Sequence, residues 1–226
     1  MEDAEVLKEL YESIKQNSKA DYAGIIEQRA SYPYLYHLSQ IRENLVSFLP
    51  FDKDMRVLEC NPECGALTGK LLAMAGSVTV LAESELQEKI LRERFKEPQE
   101  REKLDIRRQL PEHGRFDAIL IAGHFYRWEK QLPALRELLA PGGKFYVADA
   151  NRIGLKYLAG CQEEYCGGYF TGIDGYPDAA AVGRFGRSYS RAEYTRLLQE
   201  AGFGGLTFYY PCLLYTSPSP RDRSLS

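Results

Sequence analysis

No apolar run in this 226-residue chain approaches the roughly 20 residues that a bilayer-spanning helix needs, so a membrane span is not expected. A basic excess is missing as well. The net charge is −3, which does not favour a nucleic-acid partner. The opening residues Met1-Glu2-Asp3-Ala4-Glu5 are acidic and lack the basic-then-apolar layout of a secretory leader. Together these absences point to the cytoplasm. Paired C-x2-C motifs are absent too. Cys60 and Cys64 have three residues between them, Cys161 and Cys166 four, and Cys212 stands alone, with no histidine near either pair. That spacing argues against a zinc centre and for isolated reduced thiols, so no metal ligands are assigned. Internal repeats and a linker are also lacking.

What remains is an ordinary globular composition, 44% hydrophobic and 27% charged, long enough for a sizeable core. Val6, Leu7, Leu10, Tyr11 and Ile14 recur at a helical period. A second helix is expected from Leu35 to Phe48, with Leu38, Ile41, Leu45 and Phe48 on one stripe and Pro33 and Pro50 just outside its ends. Tyr32, Tyr34 and Tyr36 at its start suit either packing or a lid over a pocket. The period then changes. Met55–Glu59, Val78–Leu81, Leu104–Arg107, Phe116–Ala122 and Lys144–Ala148 read as strands, with Leu206–Tyr210 as a sixth. Helices are expected between them at 66–75, from Ser84 to about Lys96, at 129–140, and from Ser190 to about Ala201. Alternation of this kind implies right-handed βαβ units and one parallel sheet. Residues 151–188 differ: they carry eight glycines and many aromatics, and read as a short helix near 153–159 followed by a long insertion.

Residues 212–222 read Cys-Leu-Leu-Tyr-Thr-Ser-Pro-Ser-Pro-Arg-Asp and resemble the translation of a sequencing-library adaptor. The expected organisation is therefore a helical extension at 1–33, one α/β domain at 34–211, and a non-native disordered tail at 212–226.

Several runs carry a family resemblance: 36–39 (Tyr-His-Leu-Ser), 41–45 (Ile-Arg-Glu-Asn-Leu), Leu49-Pro50, 57–59 (Val-Leu-Glu), 64–69 (Cys-Gly-Ala-Leu-Thr-Gly), 139–144 (Leu-Ala-Pro-Gly-Gly-Lys), 151–160 (Asn-Arg-Ile-Gly-Leu-Lys-Tyr-Leu-Ala-Gly), and the aromatic-glycine run 169–177. With them the chain resembles class I S-adenosylmethionine-dependent methyltransferases, of the bacterial type associated with glycosyltransferases and surface-glycan assembly. The resemblance implies a Rossmann-like three-layer sandwich, its mostly parallel sheet reduced here to about six strands. The usual antiparallel seventh strand would follow residue 211 and is expected to be truncated.

It also implies a site. The family's first loop runs acid-x-Gly-x-Gly-x-Gly, so Glu59 matches the acid and Gly65 the third glycine, while Asn61 and Glu63 replace the first two. Asn tolerates a left-handed backbone. Glu63 adds bulk and negative charge where a carboxylate-bearing ligand is expected. The ribose-binding acid of the second strand falls at Ala82, leaving Glu83 one place on, and the adenine-binding position offers Gln109. Gly123 and His124 follow the fourth strand beside the expected methyl. His124 is the candidate general base, with Tyr126 as a second catalytic candidate and Trp128 able to line an acceptor pocket; Asn151 and Arg152 could orient the acceptor. His37 suits an outer-pocket or surface place, and His113 a structural turn.

The implied activity is methyl transfer from S-adenosylmethionine to an oxygen of a carbohydrate or related metabolite. The implied partners are a small-molecule or glycan acceptor and a glycosyltransferase. The altered loop keeps open a second reading, a non-catalytic module of the same fold. A nicotinamide-dependent oxidoreductase would need G-x-G-x-x-G at the first turn, which Asn61-Pro62-Glu63-Cys64-Gly65 does not supply.

Overall fold

The computed structural model describes residues 4–210. Five parallel strands form the sheet: β1 (Arg56–Glu59), β2 (Ser77–Leu81), β3 (Leu104–Arg107), β4 (Phe116–Ala122) and β5 (Leu139–Ala148), in the order β3-β2-β1-β4-β5. The order reverses between β1 and β4. In open α/β sheets the crevice beyond the strand ends at such a point is where ligands bind.

Helices cover both faces, as an all-parallel sheet requires. On one face Leu58, Ile119 and Ile121 pack with α7 (Leu132–Leu138) and α10 (Arg191–Glu200). Residues of opposite strand parity, Val57, Val78, Val80 and Leu120, point the other way. They meet α4 (Thr68–Met74) and the Leu91–Phe95 end of α5 (Glu85–Arg94). A third cluster joins α1 (Ala4–Gln16), α2 (Tyr22–Arg29) and α3 (Tyr32–Leu38) to Ile90 of α5 through Leu10, Ile14, Tyr22, Tyr34 and Leu38. Arg94 ties that layer to the sheet. Its Nη1 donates to the carbonyls of both His37 and Cys64, each at 2.7 Å, while its guanidinium lies over the Tyr22 ring.

Of the two capping boxes expected, at Ser84 and Gln87 and at Ser190 and Glu193, only the second is complete: the Gln87 side chain accepts from the Glu83 amide rather than from that of Ser84. Ser84 accepts from the Gln87 amide at 3.1 Å, and Ser190 and Glu193 cap each other reciprocally. Three further expectations are corrected. The helix expected at 35–48 stops at Leu38, because the Ser39 side chain accepts from the Ile41 amide and opens a 3-10 run at Gln40–Leu45. Ile41, Leu45 and Phe48 are consequently exposed, and Pro33 lies inside the first turn of α3. β5 begins at Leu139, so Ala140 is strand rather than helix, and Pro141-Gly142-Gly143 sits in an irregularity where the β4–β5 register shifts. Residues 206–210 form no strand. Among the described residues no ladder reaches them, and Leu206 and Phe208 pack as side chains against the core. The expected seventh strand and tail lie outside the described residues.

The 151–188 insertion carries more structure than its glycines suggest. After α6 (Pro98–Arg101), which the sequence did not signal, come α8 (Leu155–Leu158) and α9 (Ala179–Phe185), the latter capped by Asp178. No helix among the described residues is long and apolar enough to cross a membrane.

Candidate active site at the end of β1

The turn after β1 is left-handed at two residues, Glu63 and Gly65, and not at Asn61. Gly65 has φ +82° and Glu63 has φ +49°. The left-handed conformation is ordinary for glycine and costs a non-glycine residue about 1–2 kcal/mol. Glu63 occupies it without glycine's freedom. Gly65 is fixed sterically as well: a Cβ there would lie 2.6 Å from Cε2 of Phe95.

The Glu63 carboxylate turns toward α3 and the 3-10 run behind it. The Tyr36 hydroxyl donates to its Oε1 at 3.2 Å, and Arg42 Nη1 donates to its Oε2 at 3.1 Å. His37 Nδ1 stands 3.9 Å from Oε2 and His124 Nε2 3.5 Å from Oε1. Burial pushes the Glu63 carboxyl up, but the bond with His124 and the charges of Arg42 and the two histidines outweigh it and hold it below its usual range. The charge anticipated as an obstacle is thus already compensated inside the protein.

Glu59 is fully buried. Thr68 Oγ1 donates to its Oε2 at 2.7 Å, and Oε1 has no hydrogen-bond partner among the described residues. Burial raises the carboxyl to about 7, against the opposing effect of the Thr68 bond. A carboxyl raised from 4.5 holds its proton longer in the folded state than in the unfolded one. Its contribution to stability is therefore fully present below about pH 4.5 and lost as pH rises to about 7, with a slope of at most about 1.4 kcal/mol per pH unit. Urea unfolding of wild type and Glu59→Gln across that window is expected to show the variant gaining on wild type as pH rises. A constant difference would contradict the protonated carboxyl.

Asn61 bridges the ends of β1 and β4. Its Nδ2 donates to the Gly123 carbonyl, and its Oδ1 accepts from Trp128 Nε1 at 2.7 Å. Glu83, one place beyond the buried Ala82, reaches Arg127 in an ion pair. Because β2 and β4 flank β1, that pair crosses the end of β1. Gln109 is exposed beyond β3 and stays outside this network.

His124, itself left-handed at φ +52°, opens the turn after β4. Its amide donates to the Tyr165 hydroxyl at 3.0 Å, and Tyr165 donates to Asp149 Oδ1 at 2.9 Å. Asp149 Oδ2 accepts from the Phe125 amide at 3.0 Å. Burial raises Asp149 above the usual carboxylate range. His124 Nδ1 is buried with no hydrogen-bond partner among the described residues. Tyr126 packs against Gly186 of the insertion so closely that no Cβ would fit there. Trp128 is engaged by Asn61 rather than lining an open pocket.

The structure thus gathers Glu59, Asn61, Glu63, Gly65, Gly123 and His124 around the ends of β1 and β4, joins Glu83 to Arg127 across the end of β1, and sets Tyr126 against the insertion. His37 is buried in the site rather than at the surface, while His113 is exposed in its turn. Arg42, Tyr165, Asp149 and the Arg127–Glu83 pair were not anticipated. Asp149 had one legible signal, an acid just past an apolar strand. Among the described residues no group of three possible metal ligands occurs. A groove of about 840 Å³ runs along α10, lined by Arg152, Arg191, Thr195 and Arg196, and includes no residue of the β1 turn.

No protein-family model and no curated protein sequence matches this chain. Solved structures do. An S-adenosylmethionine-dependent methyltransferase from Mesorhizobium loti is similar at 16% identity over 74% of this chain and 82% of its own, with a TM-score of 0.54. A provisionally assigned methyltransferase from Bacillus halodurans is similar at 16% identity over 71% of this chain and 67% of its own, with a TM-score of 0.53. A structure of the Haloferax volcanii Trm112 methyltransferase activator in complex with a provisionally assigned methyltransferase is similar at 16% identity, covering 81% of this chain and 75% of the matched chain, with a TM-score of 0.52. With the β3-β2-β1-β4-β5 sheet, these likenesses show that the chain has the Rossmann-like fold of class I S-adenosylmethionine-dependent methyltransferases.

Proposed function

We propose that this chain is an S-adenosylmethionine-dependent methyltransferase acting on an oxygen of a carbohydrate or related small metabolite. One observation carries the reading: the turn after β1, at the point where strand order reverses, is left-handed at residues 63 and 65 and follows a buried acceptor, Glu59 Oε1, that no donor among the described residues satisfies. An unsatisfied buried oxygen costs about 1–3 kcal/mol, and a donor on a bound ligand would remove that cost. The residues present therefore fit the cofactor at this end. Glu59 would take a donor from it, the turn at 61–65 would lie against it, and Glu83 would exchange Arg127 for its hydroxyls.

When bound, the cofactor supplies a methyl group already activated on a sulfonium. The chain's own contribution is alignment and exclusion of water. His124 would take the proton of an acceptor hydroxyl: among the described residues its Nδ1 has no hydrogen-bond partner, and its backbone is held by Tyr165 and Asp149. Tyr126 holds the insertion over that turn. A glycan acceptor, a glycosyltransferase partner and a cytoplasmic setting belong to the same reading.

A second reading has its own support: Asn61–Trp128 and Glu83–Arg127 close over the end of β1, as in a module that has given up its ligand. Calorimetric titration of S-adenosylhomocysteine separates the two. Saturable heat is expected; none at roughly 1 mM ligand would leave the non-catalytic module standing.

A further inference from the structure

The cage around Glu63 is built without needing Glu63. Arg42 stacks its guanidinium over the Tyr36 ring, 3.9 Å from the centroid, and His37 meets the same ring edge-on with centroids 5.0 Å apart. Tyr36 thus packs against one cation and one imidazole through contacts that do not involve Glu63. His124 is held from the opposite side through its amide and Tyr165. Two groups approach each carboxylate oxygen: Tyr36 and His124 at Oε1, Arg42 and His37 at Oε2. Arg42 uses only Nη1, so the planar fork that suits bidentate recognition is half used. Glu63 enters from a backbone conformation that disfavours any side chain. The group in the cage is a carboxylate on a short tether, at a crevice where this sheet topology places ligands.

We propose that Tyr36, His37, Arg42 and His124 form a recognition site for a ligand carboxylate, which the chain's own Glu63 occupies as an internal competitor. A carboxylate-bearing ligand displaces Glu63 by rotation of its side chain. The turn need not refold, because its backbone at residues 63 and 65 already has the glycine-type conformation. In the proposed methyltransferase the displacing group is the carboxylate of the cofactor's amino-acid end, and that part of the inference rests on the functional reading above. Glu63 then sets the ligand concentration at which the site fills, so the loop is a threshold rather than a relic.

The test removes the tethered carboxylate and returns an untethered one. Glu63→Gly suits the backbone and empties the cage; Glu63→Gln keeps the bulk; Glu63→Gly/Arg42→Met removes the main cation as well. Thermal unfolding of the 226-residue chain is followed in sodium acetate and in sodium chloride of equal ionic strength. Acetate is expected to raise the midpoint of Glu63→Gly saturably over chloride, and to leave wild type and the double variant unmoved. No difference between the salts for Glu63→Gly, or an equal rise in wild type, overturns the carboxylate site. Calorimetry with S-adenosylhomocysteine is the second arm. Glu63→Gly is expected to bind at least about tenfold more tightly than wild type, Glu63→Gln to lie between them, and the double variant to lose the gain. Equal affinity in wild type and Glu63→Gly overturns the competitor. Acetate rescue with no S-adenosylhomocysteine binding to any variant leaves the carboxylate site standing and removes the methyltransferase reading.

Discussion

Gly65→Ala is expected to lower unfolding stability by about 2–4 kcal/mol. Two effects add there. The backbone has φ +82°, and the new Cβ would lie 2.6 Å from Cε2 and 3.0 Å from Cζ of Phe95, with Leu91 Cδ2 at 3.1 Å. Phe95 and Leu91 are themselves buried in the cluster beneath α4, so neither can swing away. Gly69, one turn along in α4, supplies the control. A Cβ there meets Phe95 Cε1 at 3.4 Å, an ordinary contact, in a helical conformation that alanine prefers. Gly69→Ala is therefore expected to be neutral or stabilising by up to about 1 kcal/mol. Urea unfolding of both variants against wild type measures the contrast. A loss of less than about 1 kcal/mol in Gly65→Ala would mean that the turn rearranges more readily than its packing implies.

Glu163→Ala is expected to cost about 3–5 kcal/mol and to loosen the insertion before the sheet. Glu163 is 3% exposed and accepts four hydrogen bonds. The amides of Tyr165 and Cys166 donate to Oε2, each at 2.7 Å, and Tyr176 Oη and Ser188 Oγ donate to Oε1 at 2.8 and 3.0 Å. The Ser188 amide in turn donates to Tyr176 Oη at 2.7 Å. One carboxyl thereby pins three separated points of a segment that has only short helices and isolated bridges of its own. Its removal leaves two buried hydroxyls and two part-buried amides with no acceptor. Hydrogen exchange should speed first at the amides of Tyr165, Cys166 and Ser188, and limited proteolysis should cut between 160 and 188 while β1–β5 stay protected. Loss of protection spread evenly over sheet and insertion would show that Glu163 supports the whole domain instead. The consequence reaches the crevice, because Tyr165 carries the His124 amide and Gly186 receives Tyr126.

The parallel sheet was legible in the chain because its determinants are local. Apolar runs such as 116–122, turn glycines and capping pairs act over a few residues, and β1 to β4 lie close to where those patterns put them, while β5 starts five residues early, at Leu139. The same local signals failed where a side chain competed with the backbone. Ser39 ended a helix whose apolar stripe continued through Ile41, Leu45 and Phe48. They failed again at 206–210, where β-type residues found no ladder, since a strand needs a partner as well as a propensity.

For the site, the sequence by itself determined the place and the anomaly: a loop after the first strand, with Asn61 and Glu63 where glycines would be expected. What the anomaly does was decided by tertiary structure alone. Arg42 and Tyr36 come from 21 and 27 residues away, and Trp128 from 67, to meet Glu63 and Asn61. Such pairings depend on which strand ends become neighbours, and that depends on a strand order no local pattern encodes. The charge of Glu63 reads in sequence as repulsion toward an incoming carboxylate. In the folded protein the same charge is neutralised by Arg42 and flanked by His37 and His124, because burial among donors, not the residue type, sets what a carboxylate does.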